Sequence, residues 1–73
     1  MSHIQAVLFD RRYYSYDRAI EALDRMDINW KKEHTTPHYY RFRIRTPNYN
    51  VYEYRIKEIK KGIKFIFGFQ KTR

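Results

Sequence analysis

The chain has no cysteine, so neither a disulfide nor a thiolate-ligated metal can reinforce it. The absence of thiols fits a reducing compartment. Glycine and proline are scarce, at two each, so there is little material for linkers or low-complexity tracts, and none is found. Acidic residues are few, eight against sixteen Lys and Arg, giving a net charge of +8. A small chain this basic is predisposed to nucleic acid, an anionic membrane or an acidic protein partner. No apolar run approaches the roughly 20 residues of a membrane span, and no membrane partner is expected. The start, Met1-Ser2-His3-Ile4-Gln5, is not that of a signal peptide, and the expected location is intracellular or within a virion.

What the chain does have is rings: eight Tyr, five Phe and one Trp among 73 residues. Rings bury much area per residue, which a single domain of this length (residues 1–73) needs in order to fold alone.

The most ordered pattern is Tyr39-Tyr40-Arg41-Phe42-Arg43-Ile44-Arg45, where apolar and basic residues alternate at a period of two. That period predicts a strand with Tyr40, Phe42 and Ile44 inward and Tyr39, Arg41, Arg43 and Arg45 outward. An earlier strand is expected over His3 to Phe9, where Ile4, Val7, Leu8 and Phe9 leave both faces apolar, as suits a central strand. Ser15 is the expected N-cap of a helix over about Tyr16 to Asp27, with Asp17 in the first turn. Tyr16, Ala19, Ile20 and Leu23 form its apolar stripe, and Glu21 and Arg25 are spaced to pair. Asn29 is a candidate left-handed C-terminal residue, and Ile28 and Trp30 are expected to fold beneath the helix end.

Lys31 to His38 reads as a polar loop, with Pro37 excluding a helix. Thr46-Pro47-Asn48-Tyr49-Asn50 reads as a hairpin loop leading to a third strand over Val51 to about Ile59. A turn at Lys60-Lys61-Gly62 leads to a fourth strand over Ile63 to Phe69, with Gly68 marking a bulge or a close backbone contact. Gln70 to Arg73 is a basic tail expected to fray. The order strand, helix, three strands predicts an α+β two-layer sandwich: a mainly antiparallel sheet with one helix on one face. The last three strands should form a meander, with the first strand beside the third or the fourth.

With the even-numbered faces of the second and third strands both buried, Phe42 lies opposite Tyr54, Arg43 faces Glu53, and Arg41 faces Arg55. The arginine pair would repel unless an anion sat between its members, and neutralising it would leave the fold intact or firmer.

Catalysis has little support. Ser2 and Ser15 are the only serines, both terminal or capping, and Glu53 is expected to be held ionised by Arg43 rather than tuned for proton transfer. His34 and His38 are four apart, but Pro37 excludes the helix that would pair them, and only Glu33 lies at ligand spacing, so a solvated loop is the expected reading. No cofactor and no small-molecule substrate is expected. Arg11-Arg12-Tyr13-Tyr14 has two readings: phosphate contact with base stacking, or a loop whose tyrosines cover the core edge. Arg41, Arg43, Arg45, Arg55, Lys57 and Lys64 are the stronger signal, because they fall on outward faces of strands taken as neighbours, opposed only by Glu53 and Glu58. Tyr39 is the clear outward ring. The expected partner is nucleic acid or an acidic protein surface, the latter including a role as an assembly subunit.

Val7-Leu8-Phe9 closing a strand, Ala19 with Ala22-Leu23 on the helix, Tyr39-Tyr40-Arg41-Phe42-Arg43 followed by Pro47, and Gly62-Ile63-Lys64 together resemble a loose group of small proteins from tailed phages and large DNA viruses. Members of that group tend to carry Trp-Leu in the helix and a glycine after it, where this chain has Ala22-Leu23 and no glycine. The resemblance carries no catalytic motif, and it implies a viral accessory or virion-associated, capsid-type role.

Overall fold

The computed structural model describes residues 2–71. It is an α+β domain of the expected class: β1 (Ser2–Asp10), α1 (Tyr16–Arg25), β2 (Lys32–Thr35), β3 (Tyr39–Arg43), β4 (Tyr52–Lys60) and β5 (Ile63–Gln70). The five strands pair antiparallel in the order β2-β3-β1-β5-β4, and the helix covers one face.

β1 is central because both its faces are apolar. Val7 and Phe9 point to the helix and pack with Ala19, Ala22, Leu23, Phe42, Ile63 and Phe65. Ala6 and Leu8 point the other way and pack with Ile66. Edge-to-face rings make up much of the helix-side core: Phe9 lies 5.7 Å from Phe42, and Trp30 5.1 Å from Phe42. Ile28 and Trp30 do fold beneath the helix end and join this core.

The helix begins as expected. Ser15 accepts from the Arg18 amide at 3.3 Å, and Asp17 stands in the first turn. It stops two residues earlier than its periodicity suggests, because Asp27 takes φ 57°, the left-handed role expected of Asn29. The Glu21–Arg25 pair does not form: the ion pairs among the described residues are Asp10–Arg12 and Glu53–Arg55. Gly62 takes φ 86° in the β4–β5 turn, as expected there. Of the expected frayed tail, Gln70 belongs to β5 and the Lys71 amide donates to Val51 O; Thr72 and Arg73 lie outside the described residues.

Several expectations are corrected. The last three strands are not a meander, because β1 inserts between β3 and β5 and meets both. Residues 46–50 are therefore not a hairpin loop. They carry the chain from β3 past the sheet end to β4 on the far edge, with the Asn48 amide donating to Tyr54 Oη at 2.7 Å. Residues 31–38 are not all loop: Lys32–Thr35 pairs with β3 and turns back through Thr36, whose hydroxyl accepts from the Tyr39 amide at 2.9 Å. The register argued from the sequence also fails. Phe42 lies opposite Val7 and Glu33, Arg43 opposite Ala6 and Lys32, and Arg41 opposite Leu8 and His34. Neither arginine meets β4, so the Arg41–Arg55 repulsion does not exist, and Glu53 finds Arg55 of its own strand at 3.7 Å.

Candidate nucleic-acid interface

Directly opposed residues in antiparallel strands share a face, so the registers define which side chains the helix leaves uncovered. From one edge to the other the open face carries Lys32 and His34 (β2), Tyr39, Arg41 and Arg43 (β3), Ala6, Leu8 and Asp10 (β1), Lys64, Ile66 and Gly68 (β5), and Tyr52, Tyr54, Ile56 and Glu58 (β4). His3 joins them opposite Gly68, brought round by a bulge between Ile4 and Ala6.

The expected inward and outward faces of β3 are thus observed: Phe42 is fully buried, while Tyr39, Arg41 and Arg43 lie on the open side. The expected faces of β4 are reversed in role. Tyr52, Tyr54 and Ile56 lie on the open face rather than in the helix-side core, and Ile56 is 61% exposed. Arg55 and Lys57 stand opposite Phe67 and Phe65, on the helix side of the sheet and away from Arg41 and Arg43. The single basic surface expected from six residues is accordingly divided, with Arg41, Arg43 and Lys64 on one face and Arg55 and Lys57 on the other. Arg45 lies beyond the end of β3, where its amide and that of Ile44 donate to Gln5 O and its carbonyl accepts from Gln5 Nε2.

Arg41, Arg43, Lys32, His34 and Pro47 line a cleft of about 230 Å³. No carboxylate lines it. Lys64 stands two strands away, its Nζ 2.9 Å from Tyr39 Oη and 5.2 Å from the Tyr39 ring centroid. The hydrogen bond with Tyr39 raises the Lys64 pKa above its usual value, so its charge is fixed at neutral pH. Of the acids on this face, Glu58 stands directly opposite Lys64, and Asp10 is engaged by Arg12. Arg12 Nε donates to Oδ1 at 3.2 Å, and its Nη2 donates to Oδ2 at 2.9 Å. That chelation, reinforced by the Arg12 amide, lowers the Asp10 pKa.

The other end of the face is aromatic. His3 packs edge-on to Tyr52 with centroids 4.7 Å apart, and Tyr54 lies 5.2 Å from Tyr49. Gly68 is required beneath them, because a Cβ there would lie 2.5 Å from His3 Cε1 and 3.0 Å from Tyr54 Cε1. The close approach at Gly68 is thus by two side-chain rings rather than by another backbone, and the nearby bulge lies in β1, between Ile4 and Ala6.

Arg11 and Arg12 belong to a different place. With Tyr13, Ser15, Arg18, Pro37, His38 and Tyr40 they border a cleft of about 570 Å³ where the helix begins. Arg11 donates to Thr36 O at 2.8 Å and covers the Tyr40 ring, and Arg12 holds Asp10. Both guanidinium groups are thus engaged within the domain.

Sequence reasoning missed Lys32, His34, His3, Tyr52 and Tyr54 as members of the open face. One available signal was the alternation Lys32-Glu33-His34-Thr35, in which Glu33 turns inward to accept from Tyr16 Oη at 2.7 Å. Among the described residues no helix is long and apolar enough to cross a membrane, and no three His, Cys, Asp or Glu side chains gather as a metal site. No protein family, curated protein or solved structure matches this chain.

Proposed function

We propose that the protein is a non-enzymatic binding module that takes single-stranded nucleic acid across the open face of its sheet. The observation that carries this reading is the company the rings keep. One uncovered plane holds Tyr39, Tyr52, Tyr54 and His3 together with Lys32, His34, Arg41, Arg43 and Lys64. Cations neutralise phosphates and rings stack on bases, and only unpaired bases offer their faces to a flat sheet. The basic cleft on β2 and β3 and the ring group on β4 lie about 14 Å apart, three strand spacings. A short run of nucleotides crossing the strands would meet both. The resemblance to phage and large DNA virus proteins extends the proposal to a viral setting, in nucleic-acid handling or in a virion.

Fluorescence anisotropy with labelled single-stranded DNA, single-stranded RNA and duplex of equal length tests the reading. Expected is binding to the single strands in preference to duplex, weakening steeply as salt rises. No binding to any of them at low salt sinks it. Binding to an acidic polypeptide instead would transfer the same face to an acidic protein partner.

A further inference from the structure

The two edges of the sheet are unequal. β2 is four residues long, Lys32–Thr35, and is cut off by Pro37. β4 runs nine residues, Tyr52–Lys60, and among the described residues its outer side meets no other strand. Long unpaired edges invite another strand, and proteins blunt them with lysines and bulges. β4 has those devices only in its second half, where Lys57 and Lys60 flank a bulge between Glu58 and Lys60. Its first half, Tyr52 to Ile56, has neither.

Backbone groups alternate sides along a strand. The Val51 carbonyl accepts from the Lys71 amide at 2.9 Å, so residues 51, 53 and 55 turn their backbone groups to β5. Tyr52, Tyr54 and Ile56 turn theirs outward. The Tyr52 amide is taken by Asn48 O at 3.0 Å, which leaves the Tyr54 and Ile56 amides and the carbonyls of all three as an unpaired edge among the described residues.

We infer that this edge pairs antiparallel with the same edge of a second copy of the chain, about a two-fold axis at Tyr54. Charge selects the register. With Tyr54 opposite Tyr54, each Glu53 faces Arg55 of the second copy, and each Tyr52 faces Ile56, covering the most exposed aliphatic side chain of the strand. Sliding by one step one way sets Glu53 opposite Glu53; one step the other way sets Arg55 opposite Arg55, and the Glu53–Lys57 pairs gained there draw the seam up to the bulge after Glu58. A further step places Arg55 opposite Lys57. Like charges directly opposed disfavour those alternatives. The Tyr54 register also stops short of the bulge. Its axis stands perpendicular to the sheet, so the two open faces become one continuous surface with the Tyr52, Tyr54 and His3 groups of both copies at the seam. The inference does not rest on what that surface binds.

Sedimentation velocity and light scattering over a wide concentration range test it. The parent chain should shift from monomer to twice the monomer mass as concentration rises. Glu53→Arg alone and Arg55→Glu alone should each remain monomeric, because each sets like charges opposite one another. The double exchange Glu53→Arg with Arg55→Glu should recover the dimer. Ile56→Pro removes an outward amide while leaving the β4–β5 bonds alone, and it too should be monomeric. Thermal melts that match the parent's at a concentration where the parent is itself monomeric separate this from unfolding. A parent monomeric at every concentration overturns the inference. So does a dimer that survives the single changes, or one that the double exchange fails to recover.

Discussion

The two faces of the sheet are made from the same strands and obey opposite rules. Under the helix, Phe9, Phe42, Phe65, Val7 and Leu23 fill a closed core in which Phe9, Phe42, Val7 and Leu23 are all but inaccessible to solvent. On the other side, small and aliphatic side chains (Ala6, Leu8, Ile66) form a low floor, with cations at one end and rings at the other. The alternation of a strand lets one sequence write both surfaces independently. Stability is concentrated on the covered face, and the open face is free to carry charge.

Phe42→Ala tests the covered face hardest. It removes the ring that Phe9, Tyr16 and Trp30 surround, at a cost of about 3–5 kcal/mol, enough to unfold or soften a domain of this size. A urea melt should show the loss directly, and a shift below 1 kcal/mol would mean that the core can close over the gap. Gly62→Ala should cost about 1–2 kcal/mol, because the turn demands positive φ and the added Cβ would meet Tyr13 Cβ at 2.9 Å.

On the open face the expected signs separate. Arg41→Gln with Arg43→Gln should leave stability within about 0.5 kcal/mol. The same pair should lower the slope of log affinity against log salt by about two units if each arginine meets one phosphate. Arg55→Gln with Lys57→Gln, on the other side of the sheet, should leave nucleic-acid affinity nearly unchanged when measured with the chain monomeric. Equal losses from the two pairs would erase the distinction between the faces.

The smallest effect concerns acid. The hydrogen bonds from the Arg12 side chain and amide hold Asp10 below its ordinary value of 3.8. A carboxylate with a depressed folded pKa contributes stability that is complete above the ordinary value and is lost as pH falls through the lower one. The gap in melting midpoint between the parent and Asp10→Asn should therefore be constant near neutrality and close only below about pH 4. A gap that persists at pH 2 would assign the stabilisation to hydrogen bonding independent of charge.

Much of this was legible in the sequence. The period of two in Tyr39–Arg43, the doubly apolar Val7–Phe9, the cap at Ser15 and the turn at Gly62 all report local rules that hold wherever the segment sits. Strand order does not follow from local rules, and the errors in the candidate site follow from it. β4 alternates rings with charges, which reads as core against solvent. Yet a helix is only about 10 Å across and shelters about two strand spacings. β4 lies beyond that shelter, so its helix-side positions, Arg55 and Lys57, need not be apolar, and its rings fall on the side away from the helix. β2 is likewise uncovered, so its residues need not be apolar, and its four polar positions read as loop.

The central position of β1 also sets the tempo of folding. Its partners are not its sequence neighbours: Ser2 lies opposite Phe69, so one flank of the core strand is the last strand to be made. Before that pairing rewards the chain, nearly its whole length must be closed into a loop, an entropic toll that grows only slowly with length but cannot be deferred. Local hairpins, β2–β3 and β4–β5, can form early, while the strand that unites them waits for both. The barrier to folding should therefore be largely one of search, and folding should fall toward the slow, millisecond-to-second end known for sheets with distant pairings.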